Sequence, residues 1–472
     1  MLKTKIVCTL GPASDPEDVL RSLVRGGMDV ARLNFSHGSH EQHAARIAAF
    51  RKVCQEENQA IPIMLDTKGP EIRLGTFECN EVALTEGQEF TLTTADVPCD
   101  GSRASVSYAG LPEDAKVGNS ILIDDGLVEL EVLEISGCEL RCRVKNSGVI
   151  SSRKSLNLPG VEVRLPAIGE RDREDLIFGI AQGVDFVSAS FIRKKSDIEE
   201  IKAFLHEHGG GDIHVIAKIE SQEGMDNLEA IVHAADGVMV ARGDLGVEIP
   251  IERVPEAQKR MIRLCREWGK PVVTATQMLD SMIRVPRPTR AEVTDVANAV
   301  YDGTSAVMLS GETASGKYPV EALEYMRRIV GAAESGSFTE PRLRRSELTL
   351  KTDNVTDAIA HATCTVASDL SAAAIVTVTA RGFSARQLAS RQPDCPILGV
   401  TYVPRTFYRL RLYRGVLPVL TDEVFSQDEL LESAAKNALD SGVVGEGDCI
   451  VITAGIPLGV SGTTNMLKVE YL

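Results

Sequence analysis

Apolar runs that break off in charged residues recur along this chain at the spacing of strand–helix units. The clearest pair lies between Val215 and Glu248, where the sequence reads VIAKIES, a helix-like spacer, then GVMVARGDLGVE. Each run has the look of a buried parallel strand, apolar along its length. The first ends in Lys218 and Glu220, the second in Arg242 and Asp244. Charges at the end of a buried strand are costly to place unless they bind something. Glu220 and Asp244 offer hard oxygens suited to Mg²⁺, and Lys218 beside them is a positive charge suited to an anion. The pattern points to a barrel active site that handles a phosphate.

The same rhythm runs along much of the chain. KIVCTLG (5–11) precedes Ser14-Asp15-Pro16-Glu17, which reads as a capping box with Pro near the first helical position. That helix carries Val19, Leu20, Leu23 and Val24 and stops at Gly26-Gly27. DVARLNF follows, then a helix from about Glu41 to Glu57, then IPIMLDT (61–67). From about Pro70 to Leu165 the pattern changes to short strands and turns, an all-β insertion. Alternation resumes with DFVSASFI (185–192), HVIAKIE, GVMVARGD, PVVTATQ and TSAVMLSGE. Across the insertion this makes eight strand–helix units, the number that closes a TIM barrel. Thr289 and Glu292 form a second capping box, followed by Val293, Val296, Ala297 and Val300 at helical spacing, and Asp302-Gly303 ends that helix. The charged segment 335–353 reads as a linker. Beyond it, AAAIVTVT (372–379), ILGVTYV (397–403), VLPVLT (416–421), CIVITAG (449–455) and MLKVEYL make a second α/β unit. The expected domains are 1–69 and 167–342 (barrel), 70–166 (β-rich lid) and 343–472 (C-terminal α/β).

Composition narrows the function. A chain of 472 residues, 43% hydrophobic and 25% charged, is an ordinary globular protein of two to four domains. Its net charge of -16 argues against nucleic acid or an anionic membrane as the main partner. An anionic substrate then needs a local positive pocket. The ten Cys are scattered without a CxxC pair, as expected of reduced thiols in a cytoplasmic protein. No signal peptide is expected at MLKTKIVCTLGP, and no apolar run reaches ~18 residues.

In a TIM barrel the strand C-termini converge on one face and carry the chemistry. Those ends supply Arg32 with Asn34, Ser36 and His37; Asp66, Thr67 and Lys68; Ser190; Lys218 and Glu220; Gly243 and Asp244; Thr276; and Ser310 with Glu312. So many polar groups at one end is hard to obtain from packing alone. GETASGKY (311–318) nearly matches a P-loop, but Tyr318 stands where a P-loop needs Ser or Thr to hold Mg²⁺, which excludes that site.

Over essentially its whole length the chain resembles a bacterial-type, three-domain pyruvate kinase without an extra C-terminal domain. The match is carried by KTKIVCTLGPAS (3–14), MDVARLNFSHG (28–38), MLDTKGPEIR (64–73), NLPG (157–160), ASFIRK (189–194), AKIES (217–221), MVARGDLGVE (239–248), TATQMLDSM (274–282) and PTRAEVTDVANAVYDGTSAVMLSGETASGKYP (288–319). The resemblance implies a cytoplasmic homotetramer that transfers the phosphoryl group of phosphoenolpyruvate to ADP. It implies Mg²⁺ (or Mn²⁺) on Glu220 and Asp244, and K⁺ on Asn34, Ser36, Asp66 and Thr67. It places Lys218 at the transferring phosphoryl group and Arg32 on the phosphate. The N–H groups of Gly243 and Asp244, with the Thr276 hydroxyl, hold the carboxylate, and Thr276 sits in the proton path. Asn34, His37, Arg73 and Lys154 are implied for the nucleotide.

The chain departs from the family pattern in places. Ser155 follows the lid Lys where Gly is common. Glu71 is followed by Leu74, whereas K⁺-dependent members usually carry a small hydroxyl residue there. In the C-domain, TARGFSAR (379–386) joins a strand to a helix. Thr379, Arg381, Gly382 and Ser384 form a phosphate cradle in outline. The resemblance implies a sugar phosphate or AMP effector there, with SGTTN (461–465) wrapping the far side and Ala380 replacing an expected hydroxyl. Two other readings stand beside the kinase. One is a metal-dependent lyase or aldolase on a phosphoenolpyruvate-binding barrel, which needs no lid nucleotide site. The other is a catalytically silent sugar-phosphate sensor, which does not need Lys218, Glu220 and Asp244.

Overall fold

The computed structural model describes residues 2–336, 354–457 and 464–472. Eight parallel strands close a barrel: β1 (Lys5–Leu10), β2 (Val30–Asn34), β3 (Ile63–Asp66), β13 (Phe186–Ala189), β14 (His214–Ile219), β15 (Gly237–Ala241), β16 (Val272–Ala275) and β17 (Ala306–Leu309). The barrel interior is one apolar cluster that includes Val7, Val30, Met64, Phe186, Ile216, Met239, Val273 and Met308. Leu412, from the C-terminal domain, joins that cluster. The surrounding helices bury their inner faces against the outside of the strands in a second, larger cluster.

The helix caps are partly as the sequence suggests. Thr289 and Glu292 exchange hydrogen bonds at the start of the helix Arg290–Asp302, and Gly303 ends it at a φ of 92°. That conformation favours glycine. The buried face there is Val296, Ala299 and Val300, while Val293 is exposed. The helix after β1 spans Glu17–Arg25, and its N-cap, Pro16, has no side-chain oxygen to offer. Ser14 does not cap it, because its hydroxyl is already taken by the Gly11 N–H at 2.9 Å. The next helix, His40–Glu56, carries the reciprocal Ser39/Gln42 capping box.

Between β3 and β13 lies the insertion. Its strands are β4 (Ile72–Arg73), β5 (Glu81–Leu84), β6 (Glu89–Thr93), β7 (Arg103–Ser105), β8 (Ser120–Ile123), β9 (Val128–Ser136), β10 (Glu139–Val144), β11 (Gly148–Ser151) and β12 (Ser155–Asn157). Seven form one sheet in the order β4-β12-β8-β9-β10-β6-β7, and β11 pairs with β5. One helical turn, Leu111–Asp114, interrupts the expected all-β character. This unit has its own core, around Phe90, Leu130 and Leu140.

The C-terminal unit is a five-stranded sheet. Its strands are β18 (Ala374–Val378), β19 (Ile397–Thr401), β20 (Val416–Leu420), β21 (Cys449–Gly455) and β22 (Thr464–Tyr471), in the order β20-β19-β18-β21-β22. Only β22 is antiparallel. Arginines tie this unit to the barrel floor: Arg405 pairs with Asp212 at 2.9 Å, and Arg414 hydrogen-bonds Thr4. The linker expected at 335–353 lies almost wholly outside the described residues, and so does the boundary at 342. All ten cysteines are free. No helix among the described residues is long and apolar enough to cross a membrane.

Candidate active site

The strand ends meet at one mouth of the barrel. Asp66, at the end of β3, is buried between two cations. Arg32 Nε on β2 lies 2.9 Å from its Oδ2, and Lys218 Nζ on β14 lies 3.4 Å from its Oδ1. Arg32 also donates to the Thr9 hydroxyl on β1 at 3.0 Å. Burial works against ionisation of Asp66, but Arg32 and Lys218 outweigh it and hold its pKa below the ordinary value. Lys218 Nζ also donates to the Ser190 hydroxyl at 2.7 Å and pairs with Glu220 Oε1 at 2.9 Å. Burial opposes its charge, yet Asp66 and Glu220 raise its pKa above the ordinary lysine value. Lys218 is therefore a permanent ammonium, immobilised at the site.

Glu220 is 1% exposed and receives the N–H of Phe191 at 2.5 Å. Phe191 sits at a φ of 55°, a conformation a bulky residue adopts only under constraint. Asp244, beside Glu220, is pushed up to about 7, first by burial and then by the neighbouring Glu220 charge. Two carboxylates this close resist ionising together, and a cation between them would relieve that repulsion. That donor set fits a divalent cation with the remaining positions left to substrate and water. Among the described residues no group of three or more His, Cys, Asp or Glu is placed to hold a metal.

The other residues read from the sequence fall into place unevenly. Asn34 and Asp66 are register partners on β2 and β3, and Thr67 follows directly. The Asn34 Oδ1 accepts the Ser36 N–H at 3.1 Å, and Thr67 Oγ1 accepts the Ser190 N–H at 3.1 Å. These oxygens are brought together, but two cations already face Asp66. The Gly243 N–H donates to Thr276 Oγ1 at 2.8 Å, so the two are paired with each other in this state. The nucleotide candidates divide between two cavities. Arg73 and Lys154 line a cleft of about 760 Å³ between lid and barrel, together with Glu220 and Asp244. Asn34 and His37 line a separate cavity of about 900 Å³, with Arg32, Pro12 and Ser310. Both lid cations are held by acids: Arg73 by Glu71 at 2.5 Å and Lys154 by Asp124 at 2.9 Å. Glu71 also has Lys68 at 3.9 Å, so its charge is balanced by protein. Glu312 is structural: it is buried and accepts the N–H groups of Leu279 and Ser310.

Family-model comparison covers nearly the whole chain. Residues 1–323 match the model described as "Pyruvate kinase, barrel domain", and residues 357–470 match "Pyruvate kinase, alpha/beta domain". The chain belongs to the pyruvate kinase family. A pyruvate kinase of Clostridium acetobutylicum is 48% identical over 473 residues, covering 100% of both chains. One of Bacillus licheniformis is 49% identical over 99% of this chain and 80% of its own. The crystal structure of a pyruvate kinase from Cryptosporidium parvum superposes with a TM-score of 0.94 at 39% identity, covering 100% of this chain and 96% of that one. The chain is thus a phosphotransferase of the pyruvate kinase family, and the lyase and silent-sensor readings fall away.

The C-domain loop corrects one detail. Thr379 Oγ1 accepts the Gly382 N–H at 3.0 Å, so one donor expected to face a phosphate is internally satisfied. Ser384 is buried with its hydroxyl against Thr464. Arg381 is exposed. Residues 461–463 of SGTTN lie outside the described residues. Two features of the site escaped sequence reasoning: the Thr9 contact to Arg32, and the partners of Arg242. The only available signal for the second was a charge at a buried strand end.

Proposed function

We propose that this chain transfers the phosphoryl group of phosphoenolpyruvate to ADP, giving pyruvate and ATP as the final step of glycolysis. The observation that carries this reading is Lys218, a buried ammonium set between Asp66, Ser190 and Glu220. A preorganised charge of this kind stabilises a transferring phosphoryl group more than a bound ground state. Arg32, whose Nε is on Asp66 and whose Nη1 is on Thr9, binds the phosphate through Nη2. The substrate carboxylate displaces Thr276 from the Gly243 N–H, which releases the Thr276 hydroxyl towards the enolate carbon and its incoming proton. Glu220 and Asp244 would hold Mg²⁺ (or Mn²⁺), which would supply Lewis-acid neutralisation of the charge that develops during transfer. Arg73 and Lys154 take the nucleotide phosphates once released from Glu71 and Asp124, while Asn34 and His37 receive the nucleoside. A coupled assay for pyruvate, with and without ADP, tests this. Pyruvate formed equally fast without ADP would overturn it. The domain division at 69, 166 and 342 belongs to the same reading.

K⁺ on Asn34, Ser36, Asp66 and Thr67 is part of the proposal. Its support is the oxygen set at the ends of β2 and β3. The charge on Glu71 gives no additional support, since Arg73 and Lys68 already balance it. Activity is expected to rise with K⁺. Equal rates in K⁺-free buffer with a large organic counter-ion would refute it.

Regulation is proposed at the C-domain loop. A phosphorylated sugar or AMP is expected to lower the half-saturation for phosphoenolpyruvate with little change in maximal rate, through a coupling of ~1–3 kcal/mol. Fructose 1,6-bisphosphate, ribose 5-phosphate, glucose 6-phosphate and AMP are the ligands to titrate. Because Ser384 is buried, exposed Arg381 gives the cleaner variant. Arg381→Glu is expected to abolish the shift; a shift that survives it places the effector elsewhere. Homotetramer assembly, proposed from the family, is checked by sedimentation. Edge strand β22, paired only with β21, offers a free hydrogen-bonding edge among the described residues.

A further inference from the structure

Thr276 and Gln277, directly after β16, have φ values of 66° and 54°. Two consecutive non-glycine residues in the left-handed region, one of them β-branched, persist only where surrounding structure over-determines them. The constraint comes from Arg242, the first residue of the short helix Arg242–Glu248 after β15. Its Nε donates to the Ala275 carbonyl at 3.2 Å and its Nη2 to the Thr276 carbonyl at 2.7 Å. The guanidinium therefore grips the two carbonyls on either side of Thr276, the first residue of the strained turn. It is itself held from behind: Nη1 pairs with Asp295 Oδ1 at 2.7 Å and reaches Gln258 Oε1 at 3.4 Å. A planar fork with several donors suits this task, and a lysine ammonium does not match its geometry. The next residue, Gly243, fixes the other end of Thr276 by donating its N–H to the hydroxyl. Beyond the turn, buried Glu312 anchors the Leu279 N–H at 3.0 Å. In this state the Thr276 hydroxyl also donates to the Ala275 carbonyl at 2.7 Å, and when substrate takes over the Gly243 N–H the Arg242 grip on the backbone still fixes where that hydroxyl starts.

We propose that Arg242, backed by Asp295, is a positioning residue that holds Thr276 in its left-handed conformation and so sets the hydroxyl that serves proton delivery to the enolate. This rests on the reading of Thr276 given above. Arg242 acts through Thr276: besides Asp295 and Gln258 behind it, its bonds run to the backbone of residues 275 and 276 and to the Met278 sulfur.

The test separates proton transfer from phosphoryl transfer and from folding. Deuterium wash-in to the methyl group of pyruvate, followed by NMR with Mg²⁺ and ATP present, reads the proton step alone. Arg242→Met is expected to slow wash-in by about 30-fold to 100-fold, the size of effect that a misplaced group produces. The KM values for phosphoenolpyruvate and ADP are expected to change by less than about threefold, because Arg32, the Gly243 N–H, Arg73 and Lys154 stay in place and Thr276 is only one of the groups assigned to the carboxylate. Arg242→Lys is expected to restore part of the loss. Gln277→Gly, added to Arg242→Met, is also expected to restore part of it, since glycine adopts the left-handed turn without a clamp. Wash-in within threefold of the parent in Arg242→Met overturns the proposal. So does a loss that Gln277→Gly leaves unrelieved, which would mean that Arg242 acts by charge. Thr276→Val separates the two readings. If Thr276→Val leaves wash-in intact, the role given to Thr276 fails. If it abolishes wash-in while Arg242→Met does not, only the role given to Arg242 fails.

Discussion

Lys218→Met is expected to lower kcat by at least ~10³ while leaving the affinity for phosphoenolpyruvate within about fivefold of the parent. The ammonium is fixed by the Ser190 hydroxyl at 2.7 Å and by Glu220 at 2.9 Å, so it needs no reorganisation when charge develops on the transferring group. Its pKa is held above the ordinary lysine value, so it stays charged throughout the working pH range. The kcat profile of the parent should therefore show no limb assignable to its deprotonation below about pH 10. Methionine keeps the length and the apolar stem and removes only the charge. Arg32 still neutralises Asp66 at 2.9 Å, so the variant is expected to fold, which a thermal melt checks. Steady-state kinetics with a separate binding titration decide the matter. If kcat stayed within tenfold while affinity collapsed, Lys218 would be a ground-state binding residue and the mechanism above would be wrong.

The barrel was legible because its evidence is local. Each strand is an apolar run that ends in polar groups, and each helix between them shows its own period. Arg32, Asp66, Lys218 and Glu220 were findable for the same reason: a charge at a buried strand end has no packing explanation. That logic also brought in Glu312, which binds only backbone N–H groups. A strand-end position says that a side chain has a polar partner, and leaves open whether the partner is substrate or protein. The Ser14 capping box failed on a competition. The Gly11 N–H lies nearer than the helix and takes the hydroxyl first, leaving Pro16 as the cap. Pairings across long sequence distances were out of reach. Arg242 finds Asp295 and the carbonyls of residues 275 and 276 only because β15 and β16 are neighbours in the closed barrel. The division of the nucleotide candidates between two cavities is likewise a property of how the lid stands over the barrel. The pairing of Gly243 with Thr276 could be seen only once β15 and β16 were set side by side.

Asp244→Asn is expected to act in opposite directions on metal binding and on stability. In the metal-free fold Asp244 is pushed up to about 7 from its ordinary value of 3.8, by burial and by Glu220. Below about pH 4 it is protonated in both the folded and unfolded states and imposes no penalty. As pH rises from about 4 to about 7 the unfolded chain loses this proton before the folded one does. The fold binds more protons in that window, so its stability falls with rising pH until Asp244 ionises in both states. Replacing it by the neutral isostere removes that penalty. At pH 8 without metal, Asp244→Asn is expected to melt at a higher temperature than the parent, and at pH 4 at nearly the same one. Binding Mg²⁺ requires the carboxylate, so in the parent the affinity should weaken as pH falls below about 7. In the variant one of only two protein carboxylates is gone. Loss of an outer-shell partner alone costs about 10–100-fold in metal affinity, so loss of a ligand should exceed about 100-fold. Melting curves in a chelator at the two pH values, with Mg²⁺ titrated by calorimetry at pH 8, measure both effects on the same samples. A variant that melts lower than the parent at pH 8, or that keeps its Mg²⁺ affinity, would remove Asp244 from the metal site and leave Glu220 without its partner.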